Sequence, residues 1–99
     1  MGYKVIWTDE AIADLRQIVA RIAQDSPSAA VKMGEEVIHK SLLLADYPRM
    51  GRVLREVKRD TLREIMIQPY RLIYEINDAS STVMLRVLWH GARCEPEIK

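Results

Sequence analysis

Alternation of apolar and polar residues is clearest between Tyr70 and His90, with the period of two that a half-buried strand requires. Tyr70, Leu72, Tyr74 and Ile76 fall on one side of a first segment, and Arg71, Ile73 and Glu75 on the other. In a second segment Val83, Leu85, Val87 and Trp89 share a face, with Thr82, Met84, Arg86, Leu88 and His90 opposite. Between them, Asn77-Asp78-Ala79-Ser80-Ser81 offers short polar side chains that bond their own backbone, so the pattern predicts a hairpin. One face is cleanly apolar and must be covered. The other carries Ile73, Met84 and Leu88 among its charges, too much apolar surface for a face that meets only water.

Upstream the period changes. Tyr3 to Thr8 reads as a short strand with Val5 and Trp7 on one side. Ala11, Ile12, Leu15, Ile18, Val19, Ile22 and Ala23 then recur at three- and four-residue spacing, which predicts an amphipathic helix. Thr8 suits its N-cap, and Asp9 and Glu10 complement the positive end of its dipole. Asp25-Ser26-Pro27 breaks that helix and starts another, with Ser26 as cap and Pro27 where no amide is needed. The second helix runs to Ala45 or Asp46, with Ala30, Val31, Gly34, Val37, Ile38, Leu42 and Ala45 as its apolar side. Gly34 inside it predicts a close approach to the first helix.

Tyr47-Pro48 ends the helical hairpin, because the residue before proline avoids helical angles. Gly51 turns the chain, and Val53-Leu54 is a candidate short strand. Leu62 to Gln68 is a longer strand, with Ile65 and Ile67 inward and Glu64, Met66 and Gln68 outward. That parity sends Arg63 inward, at odds with its charge unless the side chain snorkels. Glu95 to Lys99 reads as a tail. The expectation is one domain over residues 1–99 of the α+β class. Its layout is β-α-α-β-β-β, a helical hairpin packed on one face of a curved, mostly antiparallel sheet.

Composition narrows the function classes. A 29% charged and 48% hydrophobic chain is ordinary for a soluble domain, and no apolar run approaches the ~18 residues of a membrane span. The N-terminus has no signal-peptide core, and a single Cys94 excludes an internal disulfide. No Cys/His set has metal-ligand spacing, so the expectation is a cytoplasmic protein without metal or cofactor. A net charge of +1 argues against a protein that lives on nucleic acid. Yet Arg49, Arg52, Arg55, Lys58, Arg59 and Arg63 fall within fifteen residues, against Glu56 and Asp60. That run reads either as a solvated loop protecting a sheet edge or as a partner-binding patch.

Catalytic motifs are missing: no glycine-rich phosphate loop, no Ser-His-Asp arrangement and no paired carboxylates. His39 lies mid-helix as a surface residue, and Cys94 has little around it to activate a thiol. Arg71, Arg86 and His90 share outward parity, with Arg93 just past the strand. Such a cluster can bind phosphate and shuttle a proton. Equally, it can be a set of cross-strand pairs, for instance Arg86 with Glu75 or Glu64.

YRLIY at Tyr70–Tyr74 and the closing WHGAR at Trp89–Arg93 resemble the C-terminal half of the ParE/RelE superfamily of bacterial type II toxins. The P-x-x-G-R turn (Pro48 to Arg52), the LRE strand opening (Leu62-Arg63-Glu64) and the order of elements extend the resemblance over nearly the whole chain. RelE-like members cut messenger RNA on the ribosome. On that reading Arg71, His90 and Arg93 would be the catalytic set, although the lysines of such nucleases fall here near Leu62 and Glu64 and their C-terminal tyrosine near Lys99. ParE-like members act on DNA gyrase and arrest growth, and the HGAR ending resembles them more. That branch implies a target-binding surface including Arg63, Arg71, Arg86, His90 and Arg93. Either branch implies a cognate antitoxin that wraps the hairpin and sheet. The residues expected beneath it are Ile18, Ile22, Val37, Met66, Ile73, Met84 and Leu88. A homodimer and a toxin–antitoxin heterotetramer are both left open.

Overall fold

Thr8 and Ser26 begin the two helices of the computed structural model, which describes residues 2–55 and 57–91. Thr8 Oγ1 accepts from the Ala11 amide at 3.1 Å and donates to the Leu85 carbonyl at 2.7 Å. The cap of α1 (Asp9–Asp25) therefore also ties that helix to the sheet. Ser26 does the same local work for α2 (Pro27–Asp46), accepting from the Ala29 amide at 3.2 Å. Around them lie β1 (Lys4–Trp7), β2 (Arg52–Val53), β3 (Leu62–Ile67), β4 (Tyr70–Asn77) and β5 (Thr82–His90). The sheet order is β1-β5-β4-β3-β2, with β1 parallel to β5 and every other pair antiparallel. This is the expected two-layer α+β arrangement. The two-residue β2 adds a strand to the β-α-α-β-β-β layout and begins one residue ahead of Val53.

The main core lies between the layers. Ala11, Ile18, Val37 and Leu44 of the helices meet Ile65, Ile67, Tyr70, Leu72, Tyr74, Ile76, Val83 and Leu85 of the sheet. Strands β3 and β4 follow the expected parity throughout. Strand β5 does not. Ile73 pairs with Val87 but Tyr74 pairs with Leu85, so Arg86 is the extra residue of a β-bulge. Beyond it the alternation inverts: Leu88 joins the main core, and Val87 leaves it.

Val87 instead packs with Leu54, Leu62 and Ile73 in a second, smaller core on the face away from the helices. Leu54 follows β2, and its amide donates to the Leu62 carbonyl at 3.1 Å, which extends the β2–β3 pairing by one residue. Lys58 N donates to the Leu54 carbonyl at 2.9 Å, and Leu62 N to the Arg59 carbonyl at 3.0 Å. Leu62, Ile73 and Val87 of the outer face are thus covered by the chain itself, while Met66 and Met84 stay exposed.

Helix α2 also departs from expectation. It buries Ala30, Val37, Ser41 and Leu44, whereas Val31, Ile38 and Leu42 are 60%, 52% and 62% exposed. A Cβ placed on Gly34 would meet nothing within 4 Å, so this glycine does not serve a close helix contact. The helix has two apolar rows, and the sheet can cover one.

Candidate functional site

The motifs at Pro48–Arg52, Leu62–Glu64 and Tyr70–Tyr74 converge on one point of the fold. The Tyr74 hydroxyl donates to the Pro48 carbonyl at 2.7 Å and accepts from the Gly51 amide at 3.0 Å. Burial raises the pKa of this phenol, and the Gly51 amide works against that rise. Gly51 has no room for a side chain, since a Cβ would lie 2.5 Å from the Glu64 carbonyl oxygen and 2.6 Å from the Tyr74 hydroxyl. Arg63 resolves its inward parity by reaching back to the turn. It donates to the Gly51 carbonyl at 2.7 Å and to the Asp60 carboxylate at 2.6 Å.

Glu64 is the centre of this knot. Its Oε2 accepts from Arg52 Nε at 2.6 Å and its Oε1 from Arg71 Nε at 2.5 Å. The Glu64 and Arg71 side chains are 3% and 7% exposed, while Arg52 is 65% exposed. Such burial is tolerable because the charges compensate each other. Arg86 and Arg59 share Glu75, each at 2.7 Å, so the cross-strand pairing expected for Arg86 is what forms. At the solvent end of the sheet Arg49 bridges Asp60 at 3.0 Å and Asp78 at 2.9 Å, and the Tyr3 hydroxyl donates to Asp78 at 2.7 Å. Hydrogen bonds from Arg49 and Tyr3 hold the Asp78 carboxyl down at about 2, and bonds from Arg49 and Arg63 lower that of Asp60.

His90 is not where its parity placed it. The bulge at Arg86 turns it to the helix side, where its ring meets Tyr70 edge-on at 5.3 Å and 81°. There it lines a small cavity of about 80 Å³ with Asp14, Gln17, Arg21 and Tyr70. Burial raises the Asp14 carboxyl, and the Leu88 amide, donating to it at 3.1 Å, partly offsets this. Arg71 and His90 therefore lie on opposite faces of the sheet. Arg93 lies outside the described residues. Among the described residues no group of three or more His, Cys, Asp or Glu could hold a metal, and no helix is long and apolar enough to cross a membrane.

Residues 5–93 match the family described as the ParE toxin of the type II toxin–antitoxin system parDE. The chain belongs to that family. Toxin RelE2 of Caulobacter vibrioides is 38% identical over 91 residues, covering 91% of this chain and 97% of its own. The toxin–antitoxin complex RelBE2 from Mycobacterium tuberculosis contains a chain 25% identical, with a TM-score of 0.65 over 91% of this chain and 99% of that one. The chromosomal ParDE system from P. aeruginosa is similar in fold, with a TM-score of 0.70 at 16% identity, covering 89% of this chain and 95% of that one. The protein is thus a type II toxin of the ParE/RelE superfamily.

Within this toxin the residues expected under an antitoxin separate into two groups. Met66 and Met84 are 37% and 39% exposed. Ile18, Val37, Ile73 and Leu88 are core residues, and Ile22 packs half-buried against the main core. The apolar surface that parity missed is on α2, at Val31, Ile38 and Leu42. A signal was present: α2 has more apolar positions than one buried face can use.

Proposed function

We propose that this toxin arrests growth by binding and poisoning DNA gyrase, as the ParE-like resemblance implies, and that it does not cleave RNA. The observation that carries this reading is the state of Arg71. A nuclease of this fold would need that guanidinium at the scissile phosphate. Here it is buried in the sheet with Glu64 as its counter-charge, and the carboxylate would repel a phosphate. His90, on the other face, cannot share a phosphate with it. A poison needs complementarity to one state of its target and no acid–base pair.

A cognate antitoxin in the cytoplasm is part of the same reading. The related RelBE2 structure is a toxin–antitoxin complex, and the exposed row Val31, Ile38 and Leu42 offers about three turns of apolar helix for a partner. One observation favours messenger cleavage as the second reading: His90 shares its cavity with Asp14 and Tyr70, groups able to move protons.

The two readings separate in a direct assay. Purified toxin is expected to inhibit gyrase supercoiling and accumulate cleaved DNA, leaving ribosome-bound messenger intact. His90→Ala should have a modest effect and charge reversal at Arg93 a larger one. Messenger cleavage that His90→Ala abolishes, with gyrase unaffected, would establish the second reading instead.

A further inference from the structure

The end of β2 and the loop after it border an open concavity of about 490 Å³, lined by Arg52, Val53, Leu54, Arg55, Lys58 and Asp60. Its floor is apolar: Leu54 is buried, Val53 is half-buried, and Val57 lies exposed in the same loop. The cations of this region fall into two sets. Arg49, Arg52, Arg59 and Arg63 each hold a carboxylate. Asp60, the acidic group in the lining, is itself engaged by Arg49 and Arg63. Arg55 and Lys58 have no acidic partner among the described residues. Lys58 also adopts a left-handed φ of 56°, unfavourable for a residue with a Cβ, at the point where its amide closes the loop on Leu54.

We propose that this groove is where the toxin holds its target protein, and that the occupant is an acidic, partly apolar segment of that target. The inference rests on the target-poison reading above. Two cations without an acidic partner among the described residues, beside an apolar floor, match carboxylates flanking an apolar side chain, the usual layout of a protein interface with a dry centre and a polar rim. A nucleic-acid strand fits less well. Bound single strands gain from stacking on aromatic rings, and none of the lining residues is aromatic. The lining comes from β2, the edge strand of the sheet, and the loop that follows it, and includes no residue of α2.

The experiment is charge reversal at both of these cations, Arg55→Glu with Lys58→Glu, beside the milder Arg55→Ala with Lys58→Ala, in the full chain. Binding is measured to purified DNA gyrase, to the cognate antitoxin and to a duplex oligonucleotide, with growth arrest scored in cells. The double reversal is expected to weaken gyrase binding by at least about tenfold, and the double alanine variant less, as loss of steering and rim charges should. Melting temperature and antitoxin affinity should stay near the parent's. Unchanged gyrase binding would overturn the proposal, as would loss of antitoxin binding or a duplex held through Arg55 and Lys58. If the parent ignores gyrase yet arrests growth, the gyrase reading fails. The groove then stands or falls on whether the double reversal abolishes arrest.

Discussion

The Arg71 guanidinium sits 2.5 Å from the Glu64 carboxylate, and both side chains are almost wholly out of water. The consequence is asymmetric. Glu64→Ala would leave Arg71 buried without that counter-charge and is expected to cost about 3–5 kcal/mol. Arg52→Ala removes only the exposed partner of the same carboxylate and should cost at most about 1 kcal/mol. Urea denaturation of the two variants checks this. Equal small losses would mean that Arg71 reaches water readily, and would return it to the candidates for phosphate binding.

Tyr74 fastens the Pro48–Arg52 turn through one oxygen that both donates and accepts. Tyr74→Phe keeps the ring's packing but leaves the Pro48 carbonyl and Gly51 amide without their partner. The expected loss is about 1–3 kcal/mol, a fall in melting temperature on the order of 5–15 °C. Gly51→Ala should be at least as damaging, because two of the atoms its Cβ would strike are backbone or hydroxyl oxygens held in place. Thermal unfolding followed by circular dichroism reads both.

Acid should loosen the clamp at Arg49, Asp60, Asp78 and Tyr3. The Asp78 carboxyl titrates at about 2 in the folded chain against 3.8 ordinarily, so the folded state binds that proton more weakly than the unfolded state. Stability from this group is therefore present above pH 3.8 and is lost as pH falls through about 2. Asp78→Asn should flatten the fall in urea midpoint over that interval. High salt should shrink the difference between variant and parent, since these groups are exposed. A variant whose acid limb matches the parent's would remove Asp78 from the account.

Along α2 the structure separates surface from core in a way that substitution can read. Ile38→Asp with Leu42→Asp should leave folding intact and weaken the antitoxin complex at least about tenfold, because two carboxylates would be desolvated unpaired. Ile73→Asp or Leu88→Asp should unfold the toxin instead. Gly34→Ala is expected to stabilise the free protein by up to about 1 kcal/mol, since nothing occupies the space of the added methyl. Pull-down by tagged antitoxin and a melting curve, run on each variant, distinguish these outcomes.

Much of this protein was legible residue by residue wherever the deciding interaction is local. Thr8 and Ser26-Pro27 start helices because the cap bonds lie within three residues, and Tyr47-Pro48 stops one by steric conflict with the next ring. Alternation placed β3 and β4 correctly because side-chain direction is fixed by the pleat itself. Tertiary structure decided the rest. One extra residue at Arg86 inverted the end of β5, moving Leu88 into the core and His90 to the helix side, and no periodicity within the strand reports a bulge. Pairing of neighbouring strands brought Leu54, Leu62 and Val87 together with Ile73, so an apolar residue among charges marked an internal contact and not a free surface. Arg71 and Glu64, seven positions apart, became a buried pair because β3 and β4 lie side by side, and α2 left one apolar row open because the sheet has a single inner face. Pattern reports which residues avoid water; which partner covers them depends on elements remote along the chain.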